Sequence, residues 1–480
     1  MSTASGILSD RIPVIVGVGE ITDRPADPLE GLEPLALMSA ALERADQDGG
    51  GLLPAVDSLD VVNLVSWRYA DVTRLLCERT GIAPRRAVYG PVGGETPVRY
   101  LHEAALRIAR GESEIAAIVG AEAQSTVLKS EKNRCALPWT PLALDAPRSL
   151  RGPDYLHPQA VKLGAAQPIT VYPFYDVACS GKWGQTPREA LAESGDLWAA
   201  YAAVAACNPA AWLKARFTAD EIITPSAENR LIAWPYTKLM VANPTVNQGA
   251  AILLTSLARA REAGIAEHRL IHIWGGAAAN DPRDYLQRDH YYDSHAQNAV
   301  LEAAVAIAGG HPFDALELYS CFPCVPKMAR RSLGLGADVV PTVTGGLTFF
   351  GAPLNNYMSH AACAMVRRLR QGEGIGLLYG QGEFVTKHHG LVLASRPPQQ
   401  PVQSWSPSVQ AEADKRRSAV PAFSKDAVGR ASLETCTVIY DRDGAVKHGV
   451  VILRTADGGR TLARVPAGDE KTLQRLTDLD

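Results

Sequence analysis

Uninterrupted apolar runs of roughly 18 residues, the length a helix needs to cross a bilayer, are missing from this sequence, which predicts no membrane span. The first residues, Met1 to Arg11, are polar and hold no apolar signal core, so a cytoplasmic protein is expected. An excess of one charge is missing too. Lys and Arg total 48 against 51 Asp and Glu, giving a net charge of -3 and a pI near 6.4. That balance supplies neither an extended basic surface for nucleic acid nor a polybasic stretch for an acidic membrane. Cysteine is scarce, eight in 480 residues, and only Cys321 and Cys324 form a C-x-x-C pair. Scattered thiols point to a reducing compartment. One such pair cannot complete a four-cysteine zinc site, so no metal site and no tightly bound cofactor are expected.

What is present is core-forming material. Hydrophobic residues make up 46% and charged residues 21%, enough burial to offset chain entropy without disulfides. At 480 residues the chain fits two or three domains.

Short β-branched runs alternate with amphipathic helical segments. Val14 to Gly19 reads as a buried parallel-type strand, followed by a helical segment holding Leu35, Leu37, Met38 and Leu42 and another over Thr73 to Gly81. From Val88 to Ser125 the pattern is strand end, Gly93-Gly94 bend, helix with Pro97 in its first turn, stop at Gly111, and strand from Ile115. The same grammar returns as a strand at Leu316, a Gly345-Gly346 bend, a helix over Asn355 to Gln371 and a strand at Gly376, which implies a layered, duplicated α/β fold. Residues 126–240 are rich in Pro, Trp and Tyr and predict a long loop or lid domain, helical around Gly195 to Ala206. Arg396 to Pro401 reads as a linker. Beyond it, strand-like runs at Cys436, His448 and Thr461 alternate with Asp/Gly turns, predicting a small mostly-β domain for which a small barrel is the expected form. The expected boundaries are 1–262 for the first half, 263–396 for the second and 397–480 for the tail.

Three pieces resemble the thiolase superfamily: the Val14 strand, the glycine elbow with its helix and strand ending at Glu122, and the Gly380-Gln381-Gly382 strand edge. Asn247 to Leu254 is similar to the segment closing the first thiolase half. The β tail resembles the thiolase-like type 1 subgroup with an additional C-terminal domain, in the sterol-carrier-thiolase branch. The resemblance implies acyl-CoA chemistry in lipid metabolism, with coenzyme A or acyl-CoA as ligand. It also implies a homodimer through the first half, or a monomer if the added domain obstructs that surface.

Thiolases place a nucleophilic cysteine at a helix N-terminus, where the dipole and N–H groups stabilise thiolate and oxyanion. That place falls on Gly94 here. The second family motif is matched by Tyr319-Ser320-Cys321-Phe322, with tyrosine replacing its first residue. The Gly-His-Pro motif falls on Gly351-Ala352-Pro353, and Cys-x-Gly on Gly380-Gln381-Gly382. The literal Gly310-His311-Pro312 precedes Tyr319 and reads as a surface turn. Loss of groups that act as a unit predicts no thiolase turnover, although Gly93, Gly94, Gly380 and Gly382 retain backbone donors able to cradle an anion. The expected catalytic candidates are Tyr319 as acid/base and Cys321 as displaced nucleophile. The rival reading for Cys321 and for Cys77 is core packing. Asn355 and Asn356 are read as helix caps or substrate contacts, and Lys387, His388 and His389 as an exposed strand end or a source of a base. Three functions follow from the resemblance: an acyltransferase-family acyl-CoA-handling protein, a retro-aldolase (lyase) acting on β-hydroxyacyl-CoA through Tyr319, and a non-catalytic CoA or lipid carrier.

Overall fold

A computed structural model describes residues 11–27, 30–372 and 374–479. The polar stretch ahead of Arg11 lies outside them. The chain forms β1 (Pro13–Thr22), β2 (Ser58–Val61), β3 (Arg86–Tyr89), β4 (Ile115–Ala123), β5 (Leu231–Ala233), β6 (Tyr236–Thr237) and β7 (Asn247–Ser256). These are followed by β8 (Ile271–Asn280), β9 (Ala315–Leu318), β10 (Ile375–Gly382), β11 (Lys387–Ala394), β12 (Ala431–Tyr440), β13 (Val446–Thr455) and β14 (Arg460–Pro466).

The large sheet runs β3-β2-β4-β7-β1-β8-β11-β10-β9, and its two halves answer each other. Reading outward from the middle, β1, β7, β4 and β2 correspond to β8, β11, β10 and β9, with β7 and β11 antiparallel to their neighbours. The halves meet where Val14 pairs with His272 and Ile15 with Ile271. The counterpart of β3 is irregular backbone at Pro341, whose carbonyl accepts from Leu318 N at 3.0 Å. This is the duplicated α/β fold that the repeated strand-bend-helix-strand grammar implies.

Near-continuous apolar strands mark burial on both faces. In β4, Ala116 and Ile118 face a core shared with helices Thr96–Ala109 and Tyr357–Leu369, while Ala117 and Val119 face a second core against helix Pro34–Asp48. The two central helices therefore lie side by side in an inner layer, with their N-terminal ends at the carboxyl ends of β4 and β10.

Residues 126–240 are mainly helical, with helices Pro168–Lys182 and Pro187–Cys207 as their longest elements. The tail forms an antiparallel sheet, β14-β13-β12, which β5 and β6 extend to five strands. It is an open sheet and not a barrel. Thr435 Oγ1 donates to Phe174 O at 2.6 Å, and Trp234 N to Val438 O at 2.8 Å. The lid region and the tail thus share one sheet. Among the described residues no helix is long and apolar enough to cross a membrane.

Candidate functional site

The Gly93-Gly94 elbow stands at the N-terminus of helix Thr96–Ala109, where the first N–H groups of a helix lack intrahelical acceptors. Pro97 sits in the first turn, where its missing N–H costs nothing. Folding brings β10 and Tyr319 against this elbow. A Cβ on Gly94 would overlap the Tyr319 hydroxyl and the Gln381 carbonyl, and one on Gly382 would overlap the Glu95 carboxylate and approach Gly94 N. The space a side chain on Gly94 would need is therefore filled by a phenol from another segment. Tyr319 lies behind the elbow, its ring edge-on to Tyr357 with centroids 5.8 Å apart. Burial raises its hydroxyl pKa well above the ordinary value.

Glu95 belongs to no motif in the sequence, yet its carboxylate meets Lys387 at this junction. Its carboxylate lies between Gly93 and Gly382, and Oε1 meets Lys387 Nζ at 3.2 Å. Oε2 is buried with no hydrogen-bond partner. Burial pushes the Glu95 carboxyl above its usual range against the opposing pull of Lys387. Lys387 Nζ also donates to Val92 O at 2.5 Å and approaches Glu383 at 3.5 Å. Glu383 in turn accepts from Arg283 Nε at 2.8 Å.

The turn linking β10 to β11 holds Glu383 at φ +60° and Val385 at φ +56°, a region costly for a β-branched residue. Side chains secure it: Tyr172 and Tyr175 hydroxyls donate to the Glu383 and Phe384 carbonyls at 2.6 and 2.7 Å, and Arg288 donates to Val385 O at 2.9 Å. Strain held in this way fixes Glu383 and Lys387 toward the elbow.

Outside Glu95 opens a cleft of about 1280 Å³. Its wall carries Arg68, Arg99, Arg148, Arg151, Arg283 and Lys387 against Asp71 and Glu95. Arg283 stacks over Tyr155 with its guanidinium carbon 3.1 Å from the ring centroid. A chain of net charge -3 thus concentrates cation in one recess, which focuses potential on an anionic ligand.

The asparagines do not cap their own helix. Asn355 Oδ1 accepts from Gly93 N at 2.9 Å and its Nδ2 donates to Asn63 O at 3.1 Å, while Asn356 Nδ2 donates to Gly120 O at 2.7 Å. They tie the second half to the elbow and to β4. The segment Lys387 to His389 is not an exposed strand end either. His388 and His389 are buried in β11. Burial lowers the His388 pKa to about 4 and holds that of His389 well below the ordinary value too. His388 Nδ1 meets Tyr379 Oη at 2.7 Å, and His389 Nε2 meets His102 Nδ1 at 3.0 Å.

Cys321 is buried, with its thiol 3.7 Å from Gln381 Oε1 and its pKa pushed up to about 12 by burial. A thiol so held has almost no thiolate near neutrality, which favours its packing role. Cys324 follows it at the start of helix Cys324–Ser332, and burial raises its pKa as well. Cys77 is half-buried against the outer core, and His311 is exposed in its turn.

The profile of the thiolase-like protein type 1 additional C-terminal domain matches residues 409–480. No curated protein matches significantly. The structure is similar to a monomeric SCP2-thiolase-like protein type 1 from Mycobacterium smegmatis, with a TM-score of 0.81 and 27% identity, covering 98% of this chain and 95% of that one. It shares its fold with an Ltp2-ChsH2(DUF35) aldolase (TM-score 0.63, 19% identity, 81% of this chain and 99% of that one). It also shares it with human mitochondrial 3-ketoacyl-CoA thiolase, solved in complex with CoA (TM-score 0.57, 15% identity, 81% and 99%). The chain thus carries the additional C-terminal domain of thiolase-like protein type 1 over residues 409–480, and as a whole it is similar to an SCP2-thiolase-like protein type 1, with a large mixed sheet of thiolase fold followed by a small antiparallel C-terminal sheet.

Proposed function

We propose that the protein binds the CoA part of an acyl-CoA in the basic cleft and directs the thioester to the Gly93–Glu95 elbow without forming an acyl-enzyme. The carrying observation is the pairing of this cleft with an elbow at which the Tyr319 hydroxyl takes the space of the nucleophile. Arginine forks suit phosphate oxygens bidentately, and the Arg283–Tyr155 stack offers a planar face for a base. Calorimetry with CoA and acetyl-CoA tests the reading, together with a thiolysis assay. Binding without thiolysis supports it, and absence of binding removes it.

A second reading is favoured by one observation, the unpartnered Glu95 Oε2 at the inner end of the cleft. A retro-aldolase needs a base to take the β-hydroxyl proton of a β-hydroxyacyl-CoA. The Cα–Cβ bond then breaks, the electron pair passes to the thioester enolate, and a carbonyl product leaves. Glu95 with a raised pKa suits that base, and the Tyr319 hydroxyl, packed against Gly94 behind the elbow, is the candidate donor to the enolate. Release of a carbonyl product by wild type but not by Glu95→Gln or Tyr319→Phe is the supporting result, and equal rates in all three would refute it. A carrier role is left if CoA binds and neither reaction occurs. We further propose that the chain is a monomer, supported by the Mycobacterium smegmatis relative described as monomeric; sedimentation velocity tests this.

A further inference from the structure

Away from the elbow, Asp289, His290 and His295 bring one ligand atom each to within 4.8 Å of one another. The elements that place them are rigid. His295 opens helix His295–Ile307, whose N-cap Ser294 accepts from Gln297 N at 3.1 Å. His290 is stacked on Tyr292 at 3.9 Å with planes 8° apart. Asp289 is held from both sides, Oδ1 accepting from His290 N at 3.1 Å and Oδ2 from Ser418 N at 2.9 Å.

The distances have the scale of a coordination sphere. Asp289 Oδ2 lies 2.8 Å from His295 Nε2 and 3.7 Å from His290 Nε2. Metal–ligand bonds of about 2.1 Å at tetrahedral angles separate ligand atoms by roughly 3.4 Å, and the two values bracket that spacing. At 3.7 Å the His290 nitrogen is too far for a hydrogen bond, and His290 Nδ1 is buried without a partner. The ring is thus oriented by stacking and held by no hydrogen bond through either nitrogen.

A recess of about 470 Å³ opens beside Asp289 and His290, lined also by Lys182, Ser418, Glu434 and Arg454. The neighbouring cations are largely engaged. Glu434 pairs with Arg454 and accepts from Arg460 Nε at 2.7 Å, and Lys182 lies over the Tyr292 ring at 4.8 Å.

We infer that Asp289, His290 and His295 form a site for a divalent transition-metal ion of the zinc class, at the seam between the second half and the C-terminal domain. Two imidazoles and one carboxylate select zinc, cobalt or nickel over magnesium or calcium, which demand oxygen. The ion takes the place of the 2.8 Å contact between His295 Nε2 and Asp289 Oδ2. The recess supplies the remaining position for water. The seam location gives the ion a structural task, because Ser418 N and the Arg460 guanidinium both reach Asp289 from the C-terminal domain.

Full-length protein stripped with EDTA and dialysed against Zn2+, Co2+ or Mg2+ tests the assignment. Wild type is expected to hold a single equivalent of Zn2+ and to show visible Co2+ absorption, with no retention of Mg2+. His290→Gln and His295→Gln should each lose at least the roughly tenfold to hundredfold in affinity that removal of an outer partner produces. His311→Gln, on the exposed turn, should bind as wild type. Melting curves of the metal-free variants check their folding, and Zn2+ should raise the melting temperature of wild type but not of His295→Gln. No stoichiometric binding by wild type, or equal binding by His290→Gln and His295→Gln, overturns the site.

Discussion

The Tyr319 hydroxyl lies where any side chain on Gly94 would have to go. Two segments more than two hundred residues apart thereby exclude each other's chemistry: with tyrosine there, the elbow accepts only glycine. Gly94→Ala is expected to cost about 1–3 kcal/mol by overpacking, and Gly94→Cys to give no thiolase. In urea unfolding, Gly94→Ala combined with Tyr319→Ala should be less destabilised than the sum of the single changes, since the second relieves the clash with the phenol and leaves only that with the Gln381 carbonyl. Simple additivity would contradict this relationship.

Asn355 satisfies one donor and one acceptor across the interface of the halves. Asn355→Ala leaves Gly93 N and Asn63 O buried and unpaired, at a cost of about 1–3 kcal/mol for each group left so. Thermal unfolding should show the loss, and the displaced elbow should weaken CoA binding in calorimetry as well.

Ligand capture in the cleft should depend on salt. Arg148 is paired with Asp154 and Arg283 with Glu383, so a phosphate must compete with these partners. Arg283→Glu reverses one charge of the wall and should weaken CoA by about tenfold or more, or about 1.4 kcal/mol. Affinity should fall for wild type as ionic strength rises. An affinity insensitive to both would place CoA elsewhere.

Burial raises the Glu122 carboxyl from 4.5 to about 7, while Val65 N and Ser66 N donate to it. With the folded pKa above the unfolded one, the folded state holds the proton more tightly. That contribution is fully present below about pH 4.5 and is lost as pH rises through 7, on the order of 3 kcal/mol across the window. Glu122→Gln has no proton to lose. The stability difference between wild type and variant should therefore shift against wild type from pH 4.5 to 7.5 in denaturant titrations.

Arg460 is fully buried, and its guanidinium donates to Glu434 and to the carbonyls of Leu286, Arg288 and Asp289. Arg460→Met leaves Glu434 paired with Arg454 but strips three carbonyls of their donor, at a cost of about 3–5 kcal/mol. Limited proteolysis should then cut the linker near residues 396–408 faster than in wild type, while the thiolase-fold halves stay resistant.

Much of the scaffold follows from local pattern. The strands at Val14, Ile115, Leu316 and Gly376 and the tail strands at Cys436, His448 and Thr461 all fall within observed strands, and the bends at Gly93 and Gly345 lie just ahead of helices Thr96–Ala109 and Gly346–Phe349. Their periods and turn residues act over a few positions. The absence of cysteine at Gly94 and Gly380 needs no coordinates either. His388 and His389 read as a strand end from sequence because a polar triplet shortly after the Gly380 to Gly382 edge resembles an exposed end; β11 is instead buried between β8 and β10.

The sequence by itself therefore determined a duplicated α/β chain with a β tail and an elbow without sulfur, because helix and strand periods, glycine bends and missing side chains are local properties. The tertiary structure alone decided that Tyr319 fills the elbow, that Glu95 meets Lys387, that arginines from four distant segments line one cleft, and that β5 completes the tail's sheet. Those facts depend on which surfaces pack together, and packing joins residues whose separation along the chain carries no periodic trace.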